Sequence, residues 1–189
     1  EPLLVRSRIH KREIAAHFPQ GIPSANGYFL LEDTIDWLLS NLATFPKPYL
    51  GYFHLMPPHE PYCPRKEFIG RFNADWLPSQ KSTHFFSDSI PFDQLIAWRQ
   101  HYDEYLAYAD AEFGRLVDQL ERNGQLENTY LIFTSDHGQL FERGIHGHVT
   151  PVMYEPLLHV PLVISSPGQK KRHNVSSLTS AVDLLPTLL

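Results

Sequence analysis

The stretch NTYLIFTSDHG, residues 128–138, is the part of this 189-residue chain that decides its fold. Its first half is a short apolar run of the kind that forms a buried strand in a parallel sheet. The run ends directly at Asp136 and His137, and Gly138 lets the backbone turn sharply behind them. A carboxylate next to an imidazole at a strand end can give one oxygen and one nitrogen to a divalent cation. This pair is therefore the first candidate site.

Hydrophobic patterns on both sides of this stretch predict further helices and strands. Apolar residues recur with helical spacing over residues 32–42 and over a long segment, 94–123. Short apolar runs predict strands at 48–55 and 160–165, and a last helix starts at 180. Strands and helices that alternate in this way indicate an α/β fold with a mostly parallel sheet.

The segment 56–92 is rich in proline, aromatic and polar residues and is predicted to be a long loop. A loop of this length is either functional or disordered, and its aromatic residues argue against disorder. These residues either line a pocket or pack on the surface, and the sequence favours neither alternative. They are Tyr62, Phe68, Phe72, Trp76, Phe85 and Phe86.

Several histidines follow the predicted strands, where ligands bind in an open α/β sheet. His54 lies at the end of the strand at 48–55 and His59 follows it, and His146 and His148 come shortly after the Asp-His pair. A cation surrounded by histidines suits an anionic ester, because the metal neutralises charge and an imidazole can protonate the leaving oxygen. An Asp-His pair alone is also common in cores and helix caps, so the interpretation depends on these additional histidines.

The bulk composition excludes other classes of protein. The net charge is −5 and there is no basic stripe, which argues against a nucleic-acid partner; the cluster at 170–173 is a solvated loop. The lone Cys63 excludes an intrachain disulfide and a multi-cysteine zinc site. No run approaches the roughly 20 apolar residues of a membrane span. The chain starts without Met or a signal peptide and ends in an apolar run, so we expect a fragment and assign no compartment.

Ordered blocks of the sequence resemble the C-terminal part of the sulfatase catalytic domain, within the alkaline phosphatase superfamily. The run 128–138 is similar to the TSDHG metal motif of that family, and 54–62 is similar to its PH-x-PY loop. Further blocks in the same order are 102–116, 154–168 and 182–188. Together the blocks cover about two-thirds of the chain, and such an ordered set is far more specific than any single motif.

This resemblance implies a fold and an activity. The fold is a three-layer α/β/α sandwich with a mostly parallel sheet, alkaline-phosphatase-like, in which 1–189 form one partial catalytic domain and 56–92 form a loop over the site. The activity is hydrolysis of small-molecule or carbohydrate sulfate esters. Two alternatives remain open: a phosphoryl-group enzyme of the same superfamily (phosphodiesterase, phosphonate monoester hydrolase or phosphoethanolamine transferase) and a non-catalytic scaffold domain.

The resemblance also implies roles for individual residues. Asp136 and His137 are expected to be metal ligands, His59 to contact the ester oxygens, and His148, with His146 as second choice, to do the same or protonate the leaving group. Calcium is the most typical metal of the family, although an imidazole ligand keeps zinc and manganese open.

The nucleophile of the family is expected outside this chain. Residues 63–66, Cys-Pro-Arg-Lys, do not match the C/S-x-P-S-R motif that carries it, so Cys63 is interpreted as a loop residue. We therefore expect the chain to hold the second half of an active site and to be inactive alone. Its expected partner is the remainder of its own catalytic domain.

Overall fold

The computed structural model describes residues 17–19, 30–72 and 78–188. The sequence of residues 6–18 is also compatible with a short basic helix, but only its last two residues are among those described, and Trp76 is not. The chain forms two compact units. The first consists of Glu1–Gly124 with Phe141–His146, and the second of Gln125–Leu140 with Gly147–Leu189.

Two helices form the core of the first unit, and both were predicted from the apolar spacing. Helix α1 spans Leu31–Asn41 and helix α2 spans Phe92–Arg122. Pro91 directly precedes α2. Proline has no N–H group to donate to a preceding turn, so it is compatible with the start of a helix but not with its interior. The two helices pack against each other. Their buried hydrophobic residues are Leu31, Ile35, Leu38, Leu95, Tyr105, Tyr108, Leu116 and Leu120.

Polar contacts attach the first part of the 56–92 loop to these helices. The Arg65 guanidinium donates to the Glu32 carboxylate of α1 at 2.7 Å. The Gly70 N–H donates to the buried Glu104 carboxylate of α2 at 2.6 Å. Two residues before Arg65, Cys63 is buried, and burial raises the pKa of its thiol. An inert thiol of this kind agrees with its interpretation as a loop residue.

The strand predicted at 48–55 is wrong. These residues form neither helix nor strand, and Leu50 and Tyr52 are 80% and 81% exposed. An isolated strand leaves its backbone N–H and C=O groups without partners, so it needs a neighbouring strand to form. The described residues provide no strand beside this segment.

The second unit contains the two other predicted strands. Strand β1, Leu131–Thr134, pairs with β4, Leu162–Ser165, so that Leu131 lies opposite Ser165. The pairing is antiparallel, so the expected parallel orientation is wrong for this pair. A parallel neighbour needs a crossover, usually a full helix, and the only helix between the two strands in the described chain is the short α3, Glu155–Leu158.

A hairpin and a short terminal helix complete the described elements. Strands β2, Leu140–Glu142, and β3, Ile145–Gly147, pair with each other and are joined by Arg143 and Gly144, whose φ angles are 57° and 74°. Helix α4, Leu184–Leu188, follows a 3-10 turn, close to the helix start predicted at 180. Within the described residues, no helix is long and apolar enough to cross a membrane.

Candidate active site

The Asp136-His137 pair lies in the turn that follows β1, and local hydrogen bonds fix it there. The Asp136 Oδ1 atom accepts the backbone N–H of His137 at 3.0 Å. The hydroxyl of Ser135 donates to the His137 carbonyl oxygen at 2.7 Å. Both side chains remain partly exposed, so they are open to a ligand.

Gly138 is needed because another stretch of backbone passes directly beside it. Its N–H donates to the Leu157 carbonyl of α3 at 2.8 Å. A Cβ atom at this position would lie 2.0 Å from the Pro156 carbonyl oxygen, a distance at which atoms overlap. Glycine is therefore required at this position for steric reasons as well as for the turn. Without a side chain, it lets the backbone of α3 pack directly against the backbone that follows the Asp-His pair.

The geometry of the two side chains suits a shared cation. The Nδ1 atom of His137 lies 2.8 Å from the Gly138 carbonyl oxygen, so it carries the proton and donates it there. The Nε2 atom then keeps its lone pair and lies 3.7 Å from Asp136 Oδ1. Two donors about 2.1 Å from one cation can be at most about 4.2 Å apart. The pair fits as two ligands of one metal ion.

His148 lies beside this pair. Its ring stacks on that of His137 with a centroid separation of 4.0 Å and an interplanar angle of 18°. Its Nδ1 atom lies 3.2 Å from the Gln139 side-chain oxygen, which can only accept, so Nδ1–H is the donor. Sequence reasoning missed Gln139, because nothing in the pattern marks a glutamine as an orienting residue.

His59 belongs to the first unit. Its ring Nδ1 atom lies 2.7 Å from the Glu60 carbonyl oxygen, and its backbone N–H donates to the Met56 carbonyl at 2.7 Å. The turn therefore holds both the backbone and the ring of His59. His54, in the same unit, lies in the exposed segment with its Nδ1 atom 3.5 Å from the Tyr52 hydroxyl.

His146 also belongs to the first unit and is enclosed by aromatic rings. Its Nε2 atom lies 3.0 Å from the Tyr62 hydroxyl, and its ring centroid is 4.6 Å from that of Trp98. Only 17% of the side chain is exposed. Burial lowers the pKa of His146, and the nearby Glu60 carboxylate only partly opposes this effect. These surroundings make His146 a packed neutral imidazole, which favours His148 over it for proton transfer.

The structure thus brings together Asp136, His137 and His148 in the second unit, with Gln139 behind them. His59 and His146 lie in the first unit. Within the described residues, no three His, Cys, Asp or Glu side chains are grouped to hold a metal.

An Asp-His pair at a strand end, flanked by a stacked histidine, is an arrangement suited to metal-dependent hydrolysis of anionic esters. The profile of the sulfatase family matches residues 19–189, and the chain belongs to that family. The family match and a superposed structure also support the α/β fold. The phosphonate monoester hydrolase SpPMH of Silicibacter pomeroyi superposes with a TM-score of 0.71 at 22% identity, over 98% of this chain and 44% of that one.

Curated relatives include named sulfatases. Arylsulfatase K of Gallus gallus is 37% identical over 186 residues, which cover 84% of this chain and 35% of the relative. The N-acetylglucosamine-6-sulfatase of Capra hircus is 29% identical over 186 residues, which cover 82% of this chain and 32% of the relative. The chain therefore spans about a third of the length of these relatives.

Proposed function

We propose that the protein containing this chain hydrolyses sulfate esters at a divalent-cation site and that this chain carries the second half of that site. One observation carries the proposal. In a chain of the sulfatase family, Asp136 Oδ1 and His137 Nε2 lie 3.7 Å apart, with the histidine tautomer fixed for coordination. The small-molecule or carbohydrate ester is the substrate class, in line with the names of the relatives.

Asp136 and His137 would hold the cation, which when bound neutralises the ester oxygens. The neighbouring backbone keeps both ligands oriented, since metal ligands depend on such outer contacts. The Gly138 carbonyl fixes the His137 ring, and the Ser135 hydroxyl fixes its backbone.

His148 would donate a hydrogen bond or a proton to the ester. Gln139 accepts from its Nδ1–H and so orients the ring. His59, whose Nδ1 is held by the Glu60 carbonyl, would present Nε2 to the ester oxygens. Because His146 already pairs with the Tyr62 hydroxyl inside an aromatic cluster, we assign it a positioning role.

The donor set is compatible with three divalent ions. Calcium, the most typical ion of the family, prefers oxygen ligands, whereas imidazole nitrogen favours zinc or manganese. A pair with one oxygen and one nitrogen would accept any of the three.

The remainder of the catalytic domain would supply the nucleophile and the other acidic ligands. In this arrangement 1–189 form part of one α/β/α sandwich and 56–92 lie over its site. The β1–β4 pair exposes apolar side chains such as Phe133 and Val163, which a further part of a sheet would cover.

Elemental analysis of the whole protein tests the site independently of any substrate. The wild type should bind a divalent cation, and Asp136→Ala and His137→Ala should each lose it. His159→Ala is a matched control, since His159 is an exposed histidine paired with Glu155 at 3.2 Å. Equal metal content in all four proteins would reject the site, and a wild type without metal that is stable to chelation would indicate a scaffold.

A phosphoryl-group enzyme is the second candidate, because the superposed structure is a phosphonate monoester hydrolase. A comparison of kcat/KM for 4-nitrophenyl sulfate and 4-nitrophenyl phenylphosphonate separates the two. Preference for the sulfate supports the main proposal, and preference for the phosphonate replaces it with the second.

A further inference from the structure

The Tyr62 side chain attaches the turn that contains His59 to the core of the first unit. Its ring meets those of Tyr102 on α2 and Phe141 on β2, with centroids 5.5 and 6.0 Å apart. Its hydroxyl lies 3.0 Å from the Nε2 atom of His146 on β3. All of these residues belong to the first unit. Tyr62 therefore holds the turn through both an apolar and a polar contact.

The His146 ring that meets the Tyr62 hydroxyl is itself held in place by packing. Its centroid lies 4.6 Å from that of Trp98 on α2 and 5.3 Å from that of Phe141. The Glu60 carboxylate lies 3.8 Å from the same Nε2 atom, which is beyond hydrogen-bond distance. Of the two side chains of the turn that face His146, Tyr62 thus makes the hydrogen bond.

The segment that connects Tyr62 to His59 is short and stiff. Pro58 and Pro61 lie on the two sides of His59, and the pyrrolidine ring fixes the φ angle of each proline. The ring Nδ1 atom of His59 lies 2.7 Å from the Glu60 carbonyl oxygen, which can only accept, so Nδ1 carries the proton. A displacement of Tyr62 therefore also displaces the imidazole of His59.

We propose that Tyr62 is a positioning residue for His59 and that the hydrogen bond between its hydroxyl and His146 fixes the place of the His59 imidazole. A reacting group that is misplaced by about 1 Å can cost about 100-fold in rate, so a contact that only orients it affects catalysis. The role of His59 toward the ester rests on the proposed function, whereas the position of its ring does not.

Coupling to His59 separates this role from a purely structural one. A hydrogen bond between side chains also stabilises a fold, so a loss of stability in a variant does not distinguish the two. If Tyr62 acts through His59, removal of its hydroxyl has no further effect once the imidazole is absent, because the two changes are then not additive.

A double-mutant cycle in the whole protein, with 4-nitrophenyl sulfate as substrate, measures this coupling. Tyr62→Phe keeps the ring and removes the hydroxyl, and it should lower kcat about 10-fold with little change in KM. In the His59→Ala background the same change should lower kcat no further. Tyr49→Phe is the matched control, since Tyr49 is an exposed tyrosine of the same unit whose ring contacts Phe45.

Replacement of His146 checks the same hydrogen bond from its other side. His146→Phe keeps an aromatic ring but has no nitrogen, so it should reproduce the loss of kcat in Tyr62→Phe. His146→Gln offers an amide group to the Tyr62 hydroxyl and should recover most of the rate.

The kinetic outcomes decide the proposal when the protein hydrolyses the ester. Tyr62→Phe with the same kcat as Tyr49→Phe would reject the positioning role. An equal loss in the presence and in the absence of the His59 imidazole would reject it as well, because Tyr62 would then act independently of His59.

NMR of the whole protein with 15N-labelled histidine examines His59 without any substrate, and the signals missing in His59→Ala identify its ring. The Nδ1–H tautomer should dominate in the wild type and lose population in Tyr62→Phe, and identical His59 signals in the two would reject the positioning role. A tautomer that shifts in Tyr62→Phe, in a protein that turns over no sulfate ester, would retain the positioning role and reject the proposed function.

Discussion

The imidazole rings of His137 and His148 stack face to face, with centroids 4.0 Å apart. The contact places the proposed proton donor directly against the proposed metal ligand. Since each ring also has its own hydrogen-bond acceptor, at the Gly138 carbonyl and the Gln139 side chain, both orientations are fixed before a substrate arrives. Preorganisation of this kind is what transfer of a proton to a leaving oxygen requires.

The histidines should divide into essential and dispensable ones. His148→Ala and His59→Ala in the whole protein should each lower kcat for an aryl sulfate about 100-fold or more, the usual scale for losing acid–base assistance. Their metal content should remain at the wild-type level. His159→Ala should leave kcat unchanged. Wild-type rates in the first two variants would contradict the roles assigned to them.

Gln139 should act through His148. Gln139→Leu removes the acceptor of the Nδ1–H, so the ring loses its orientation and kcat should fall about 10-fold or more, as for other outer contacts of a site. Gln139→Glu retains an acceptor and should recover most of the rate. The measurement is kcat from steady-state kinetics. If Gln139→Leu is as active as Gln139→Glu, the hydrogen bond from Gln139 to His148 has no role in catalysis.

Gly138 and Gly114 offer a matched test of packing. Gly138→Ala places a Cβ 2.0 Å from a backbone oxygen, so the free energy of unfolding should fall by about 2 kcal/mol or more. In Gly114→Ala, the new methyl group meets nothing within 4 Å inside α2, and alanine favours the helix by up to about 1 kcal/mol. Denaturant unfolding should give opposite signs for the two. An unchanged midpoint for Gly138→Ala would contradict the close approach of α3.

His146 should contribute to the loss of stability of the folded protein as the pH falls. Because burial lowers its pKa in the folded protein, the unfolded chain binds this proton more tightly. The stabilisation is therefore complete above the unfolded pKa near 6.5 and is lost as the pH falls from there toward the lower folded pKa. His146→Gln should lose less stability between pH 8 and pH 5 than the wild type does. The exposed control His173→Gln should behave like the wild type, and equal losses in all three would contradict this account.

Helices α1 and α2 were predictable because the helical spacing of their apolar residues is a property of each segment alone. Pairing was less predictable. The strand predicted at 48–55 does not form, and β4 runs antiparallel to β1. Both outcomes depend on which strands are neighbours, and the local sequence pattern does not specify the neighbours. The motif around Asp136 likewise predicted a pair of ligands, whereas the role of Gln139 and the aromatic surroundings of His146 required three-dimensional contacts.

Hydrolysis of 4-nitrophenyl sulfate by the whole protein, stripped of metal and then titrated with zinc, manganese or calcium, tests the central claim most directly. We expect activity that returns with at least one of these ions in the wild type and with none of them in His137→Ala. Activity in the stripped wild type, or equal recovery in His137→Ala, would contradict a metal-dependent sulfatase site at Asp136 and His137.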